Sequence, residues 1–147
     1  MKWLSLILAF FAGAVLPLQA GINSQLRSYA GSPLIAAFIS FLVGTLLLFA
    51  MALVLRLPWP SLPVLAQAPW WAWLGGLLGA ILVFLAIVLA EELGAAVMVA
   101  LIITGQMIVS LVLDHYGLVG YTRNPLNPAR IIGSVLLLSG VFLIRYK

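Results

Sequence analysis

Five apolar stretches, each long enough to cross a lipid bilayer, make up most of the chain. A transmembrane α-helix needs about 20 apolar residues to cross a hydrocarbon layer about 30 Å thick. Of the 147 residues, 65% are apolar and only 7% are charged, which is too few charged residues for the surface of a water-soluble domain. The sequence therefore predicts an all-α integral membrane protein. About five transmembrane helices are expected, forming a single transmembrane domain over residues 1–147.

Prolines and capping residues mark the ends of the predicted helices. Ser32-Pro33 and Asn127-Pro128 each place a capping side chain before a proline at the first helical position. Residues 57–69 contain four prolines, so they are predicted to be a loop lying along the headgroups rather than a continuous helix. The tryptophans of residues 70–73 then anchor the next helix at the interface. The predicted spans cover approximately residues 3–26, 33–55, 70–91, 94–113 and 128–145.

The first apolar stretch has an alternative interpretation, a secretory signal that ends in Leu18-Gln19-Ala20. The stretch is longer than the apolar part of a typical signal, and Pro17 lies within it. We therefore interpret it as the first membrane helix.

The positive charges are divided almost evenly between the two sides of the membrane that five spans define. One side carries Lys2, Arg56, Arg123 and Arg130, and the other carries Arg27, Arg145 and Lys147. A protein with one orientation normally has a clear cytoplasmic excess of Lys and Arg. The nearly equal numbers of Lys and Arg on the two sides predict that the protein inserts in both orientations and forms an antiparallel homodimer. The alternative is a weakly biased protein that its first helix holds in one orientation. The scattering of these charges among helix ends argues against a nucleic-acid partner.

Neutral polar side chains are the candidates for a solute site, because no charged residue lies near the middle of a predicted span. Gln19 and Asn23 share one face of the first helix, Gln106 and Ser110 share one face of the fourth, and Ser40 lies in the second. In an antiparallel dimer these groups would line a shared site for a small-molecule solute near the midplane. The alternative is that they form interhelical hydrogen bonds that hold the bundle together.

Three charged residues at helix ends are candidates for gating. Arg27 lies one turn beyond Asn23, and Asp114 lies one turn beyond Ser110 on the opposite side of the membrane. An inverted partner would bring its Asp114 to Arg27, which predicts two intersubunit ion pairs at the mouths of the cavity. The alternative is that both residues mark where helices meet headgroups. Glu91, with its neighbour, forms either an interfacial turn or a proton or cation site.

Metal and catalytic sites are not expected. The chain has no cysteine, one histidine and three acidic residues, which are too few ligands for a metal cage. It contains no phosphate-binding loop, zinc-protease motif or nucleophile elbow. We therefore expect neither a cofactor nor enzymatic activity.

Several short motifs, in order along essentially the whole chain, resemble one known family. They are Gln19-Ala-Gly-Ile-Asn23, residues 32–44, residues 70–76, Leu93-Gly94-Ala95, Gly105-Gln106 with Asp114, and residues 133–140. The chain is similar to the YdcZ-type family of the drug/metabolite transporter superfamily. The resemblance implies a small multi-pass protein of the bacterial inner membrane, distantly similar to the small multidrug resistance transporters. The first helix lacks the membrane-embedded glutamate of those transporters, so proton-coupled export of cations by their mechanism is not expected.

These features predict a dimeric secondary transporter that moves a small polar or amphipathic solute by alternating access. Its partners would be the solute, the membrane lipid and an inverted copy of itself. A non-transporting scaffold subunit and a lipid flippase are the alternatives, and a lateral gap toward lipid would favour the flippase.

Overall fold

The computed structural model describes residues 2–145, and all regular secondary structure in that range is helical. The elements in chain order are α1 (Lys2–Ala30), α2 (Pro33–Val54), α3 (Leu62–Leu65), a 3-10 turn (Trp70–Trp73), α4 (Leu74–Leu93), α5 (Ala95–Tyr116) and α6 (Pro128–Arg145). The predicted all-α fold is confirmed. Lys147, which the charge balance included, lies outside the described residues, as do Met1 and Tyr146.

Four helical segments are long and apolar enough to cross a membrane. They are Trp3–Ala30, Pro33–Val54, Trp70–Leu93 and Ala95–Tyr116, which correspond to the first four predicted spans. The fifth, α6, is also apolar but has only 18 residues. At 1.5 Å per residue α6 is about 27 Å long. The fifth predicted span is therefore a shorter apolar helix.

Both predicted proline-marked helix starts are confirmed. The Ser32 hydroxyl oxygen accepts a hydrogen bond from the Leu34 N–H at 3.2 Å at the start of α2, and Asn127 Oδ1 accepts one from the Arg130 N–H at 2.9 Å at the start of α6. The connection between α4 and α5 is shorter than predicted, because α4 continues to Leu93 and leaves only one residue, Gly94, between the two helices. A φ of 74° at this residue is easily adopted only by glycine.

The chain divides into two compact units between Glu92 and Leu93. In the first unit, α1, α2 and α4 pack around the buried side chains of Ala36, Ala37 and Ile87. The two alanines of α2 are small, which leaves room for the Ile87 side chain of α4 against them. The last turn of α1 completes this cluster. The single transmembrane domain expected from the sequence stays a prediction.

In the second unit, α5 and α6 pack together as a helical hairpin. α5 ends at Gly117, where a Cβ atom would lie 3.2 Å from the Cβ of Arg123, so a larger residue would push the loop away. A groove of about 390 Å³ lies between the two helices, and its lining includes Gly133, Gly140 and Val141. The lining is almost wholly apolar, so the groove fits an acyl chain or another helix better than it fits a polar solute.

Candidate solute site and charged contacts

Three of the predicted site residues lie in the first unit, on the hairpin of α1 and α2. Asn23 is buried, with 4% of its surface exposed, while Gln19 and Ser40 are half-buried. Asn23 and Ser40 are equally far in sequence from the turn that joins the two helices, about 13 Å along each helix axis. These two residues therefore lie at the same depth of the hairpin. Gln19 lies one helical turn farther from the connection between α1 and α2.

The side-chain amide of Asn23 makes no hydrogen bond with any of residues 2–145. Every fully enclosed side-chain nitrogen or oxygen in that range has a partner, so this amide must still reach an opening. An asparagine amide offers two donors and one acceptor, and an unsatisfied buried polar group costs about 1–3 kcal/mol. Asn23 is therefore available to bind a hydrogen-bonding group from outside the chain.

The other two predicted site residues, Gln106 and Ser110, lie on α5 in the second unit. They are one helical turn apart and both are exposed, and neither side chain hydrogen-bonds within residues 2–145. A polar side chain exposed on a membrane-spanning helix usually faces a water-filled cavity or another protein helix. Participation of Gln106 and Ser110 in one site with Asn23 stays a prediction.

Arg27 lies one turn beyond Asn23 and forms an ion pair with Glu91 of α4 in the same unit. Arg27 Nη1 lies 2.5 Å from Glu91 Oε2, and the Ser24 hydroxyl donates to Glu91 Oε1 at 3.2 Å. A negative charge near a helix C-terminus is unfavourable because of the helix dipole, so Arg27 offsets the cost of placing Glu91 at the end of α4. The pair also brings the ends of α1 and α4 together, which agrees with the alternating directions of the first three predicted spans.

Asp114 of α5 forms an ion pair with Arg130 of α6 in the second unit, and both side chains are 25% exposed. Arg130 also donates to the carbonyl oxygen of Asn124 at 2.7 Å, and the Asn124 N–H donates to the Asp114 carbonyl oxygen at 2.7 Å. Next in sequence, His115 Nδ1 accepts a hydrogen bond from the Leu126 N–H at 3.1 Å. The last turn of α5 therefore holds the α5–α6 loop in place through several contacts.

The sequence predicted that Arg27 pairs with Asp114 of an inverted partner. Each of these residues has an ion-pair partner in its own unit instead, Glu91 for Arg27 and Arg130 for Asp114. An intersubunit pair would require both existing pairs to exchange, and it stays a prediction. Sequence reasoning did not identify Arg130 as a partner. The available signal was its place in the first turn of α6, where a positive charge is unfavourable unless a carboxylate lies nearby.

Replacing Asp114 by asparagine is expected to lower the free energy of unfolding by about 1–2 kcal/mol, because Arg130 and the loop lose a charged partner that is only partly screened by solvent. Thermal unfolding of the purified protein in detergent measures this loss. Glu92→Gln is the matched control, since it makes the same chemical change at a carboxylate that has no ion pair within residues 2–145. Equal effects of the two substitutions would contradict the structural role of Asp114.

Similarity to known proteins extends over nearly the whole chain. Residues 4–143 match the family model described as "Putative inner membrane exporter, YdcZ". The chain belongs to the YdcZ family. Inner membrane protein YdcZ of Escherichia coli (strain K12) is 31% identical over 143 residues, with 95% of each chain covered. No solved structure matches the chain significantly.

Membership of the YdcZ family confirms the resemblance noted in the sequence. Together with its apolar helices, it identifies the chain as a multi-pass inner-membrane protein. The YdcZ description is that of an exporter, which is a transporter rather than an enzyme.

Proposed function

We propose that the protein is a secondary transporter that moves a small polar or amphipathic solute across the inner membrane by alternating access. The observation that carries this proposal is Asn23 on a membrane-spanning helix, a residue only 4% exposed whose amide reaches an opening and has no hydrogen-bond partner within residues 2–145. A bound solute can supply the hydrogen bonds that the chain does not. A scaffold subunit has no need of an unsatisfied group at this depth.

An inverted second copy would complete the transporter. Gln106 and Ser110 present unpaired polar groups on the exposed surface of α5, and the even charge balance allows both orientations. Two inverted copies form the kind of repeat that many transporters use for alternating access. Gln19, Asn23 and Ser40 carry no charge, so a neutral, zwitterionic or anionic solute fits better than a bare cation. Arg27, Glu91 and Asp114 would act as gates.

The apolar groove between α5 and α6 favours a second candidate, a lipid flippase. Gly133 and Gly140 widen this groove, and apolar side chains line it, so an acyl chain can lie along it. The two candidates differ in what crosses the membrane. Solute flux and the transfer of a fluorescent phospholipid between leaflets can both be measured in the same reconstituted vesicles.

The test begins with thermal unfolding of the purified protein against a panel of neutral, zwitterionic and anionic solutes. A solute that binds the folded state raises the unfolding temperature, and its flux is then followed in proteoliposomes. Binding and flux of a polar solute would support the transporter. Phospholipid transfer without solute flux would indicate the flippase, and failure of both would favour the scaffold.

Dual insertion predicts that reporters at the C-terminus give signal on both sides of the membrane. A phosphatase active only in the periplasm and a fluorescent protein active only in the cytoplasm should both report when each is fused to the same chain. Two or three added lysines at the C-terminus should then shift the ratio and reduce transport, because fewer inverted pairs form. Signal from one side alone in the unmodified protein would exclude dual insertion.

A further inference from the structure

The segment that joins α2 to α4, residues 57–73, is apolar although it is exposed. No charged residue lies between Arg56 and Glu91. Leu62 is 81% exposed and Trp59 is 62% exposed, and the three tryptophans of residues 70–73 are exposed as well. Contiguous exposed apolar surface of this kind marks contact with a membrane or another protein.

About half of the backbone N–H groups in this segment are bonded within the chain, so it needs less water than a fully solvated loop. Four of its residues are prolines, which have no N–H group. Other N–H groups donate to carbonyl oxygens of the chain itself, namely those of Leu57, Val64, Leu65, Ala66, Gln67, Ala68 and Ala72. Backbone groups that enter lipid must be satisfied internally, because lipid offers no hydrogen-bond partners. The segment meets much of this requirement.

The chain also reverses direction where α2 ends. Arg56 adopts a left-handed φ of 51°, the Arg56 N–H donates to the Leu53 carbonyl at 3.1 Å, and the Leu57 N–H donates to the Ala52 carbonyl at 3.0 Å. These two bonds form a Schellman motif, with arginine at the position usually occupied by glycine. The segment therefore turns back toward the helix that it has just left.

One contact shows how far the segment turns back. The ring of Trp59 lies 5.7 Å from the ring of Phe49 of α2. Phe49 lies about 8 Å along the helix axis from the last residue of α2. Trp59 is therefore beside the membrane-spanning part of α2 rather than beyond its end. The sequence predicted a loop lying along the headgroups, and the depth of this segment in the membrane stays a prediction.

We propose that residues 57–73 form an anchor that inserts into the lipid interface, with Trp59 and Leu62 at the level of the acyl chains and Arg56 at the lipid phosphates. Arginine side chains at helix ends reach for headgroups, and indole rings favour the boundary between water and hydrocarbon. The occupant of this surface is lipid, because the anchor connects two membrane-spanning helices and carries no charge with which to recognise a soluble partner. The proposal does not depend on transport.

Spin labels at single cysteines test the depth of the anchor, and the absence of native cysteine means that no background substitution is needed. Leu62→Cys places the label on the anchor. Val119→Cys is the matched control, since it is an apolar residue, 64% exposed, in the polar α5–α6 loop. Both proteins are reconstituted in phosphatidylethanolamine and phosphatidylglycerol vesicles. For each label, the collision rate with oxygen, which concentrates in lipid, is then measured. It is compared with the collision rate of the same label with a water-soluble nickel chelate that is present on both sides of the membrane.

The label at position 62 is expected to show a severalfold higher ratio of oxygen to nickel collisions than the label at position 119. Equal ratios, or a higher nickel accessibility at position 62, would overturn the proposal. Quenching by lipids brominated on their acyl chains gives a second measurement that needs no cysteine. The absolute loss of tryptophan fluorescence on adding brominated lipid should be smaller in Trp59→Phe than in the unmodified protein, and an equal loss would also overturn the proposal.

Discussion

Replacing Asn23 by leucine is expected to reduce solute flux by about tenfold or more without unfolding the protein. Loss of hydrogen bonds worth about 1–3 kcal/mol to a bound solute weakens binding by roughly one to two powers of ten. Leucine has the same branching and the same number of non-hydrogen atoms as asparagine, and it needs no hydrogen bond. The substitution should therefore leave the unfolding temperature unchanged or raise it. Flux in proteoliposomes and thermal unfolding in detergent measure the two effects.

Opposite signs of the effects on flux and stability distinguish a solute site from a structural hydrogen bond. Gln25→Leu is the control, because it removes an amide from an exposed position two residues away on α1 and should retain flux. A folded Asn23→Leu variant with normal flux would remove the residue from the solute site. A loss of stability in that variant would show instead that the amide has a structural partner.

Reversing the charge of Glu91 to lysine is expected to abolish most transport and to lower stability by about 1 kcal/mol, the scale of a partly exposed ion pair. The new lysine would face Arg27 at the place where the ends of α1 and α4 meet. Glu92→Lys changes the net charge by the same amount at the next residue, which has no ion pair within residues 2–145. That control should keep most of its flux.

Double reversals identify the functional partner of Arg27. If the ion pair within the chain matters, Arg27→Glu combined with Glu91→Arg should recover flux that each single reversal loses. If an inverted partner supplies the contact, Arg27→Glu combined with Asp114→Arg should recover it instead. Recovery in neither double variant would mean that these charges affect folding or insertion rather than gating.

The helices of this protein could be predicted because apolar length and helix punctuation are local properties of the sequence. Ser32-Pro33 and Asn127-Pro128 fixed two helix starts through capping and the geometry of proline. The end of α4 was predicted two residues early, because Glu91 and Glu92 indicated an interfacial turn. The helix continues past both residues because Arg27 and Ser24 neutralise and bind the first of them.

The side-chain pairings could not be predicted with the same success, because they depend on helix rotation and on contacts between distant residues. Arg27 had three acidic candidates in the sequence, and charge alone could not choose among them. The sequence also did not determine which polar residue of α1 is buried, since Gln19 and Asn23 share a face but only Asn23 is buried. Ala20, a small buried residue one turn before Asn23, was the local sign that this part of the face allows close packing.

Because its helices differ in length, the fit of this protein to the bilayer depends on bilayer thickness. α1 has 29 residues and α6 has 18, which correspond to about 43 Å and 27 Å. A hydrocarbon layer about 30 Å thick is too thin for α1 to stand upright within it and slightly too thick for α6. Thickening the membrane relieves the mismatch of the long helix and increases that of the short one. A membrane that changes thickness would therefore act in opposite directions on α1 and α6.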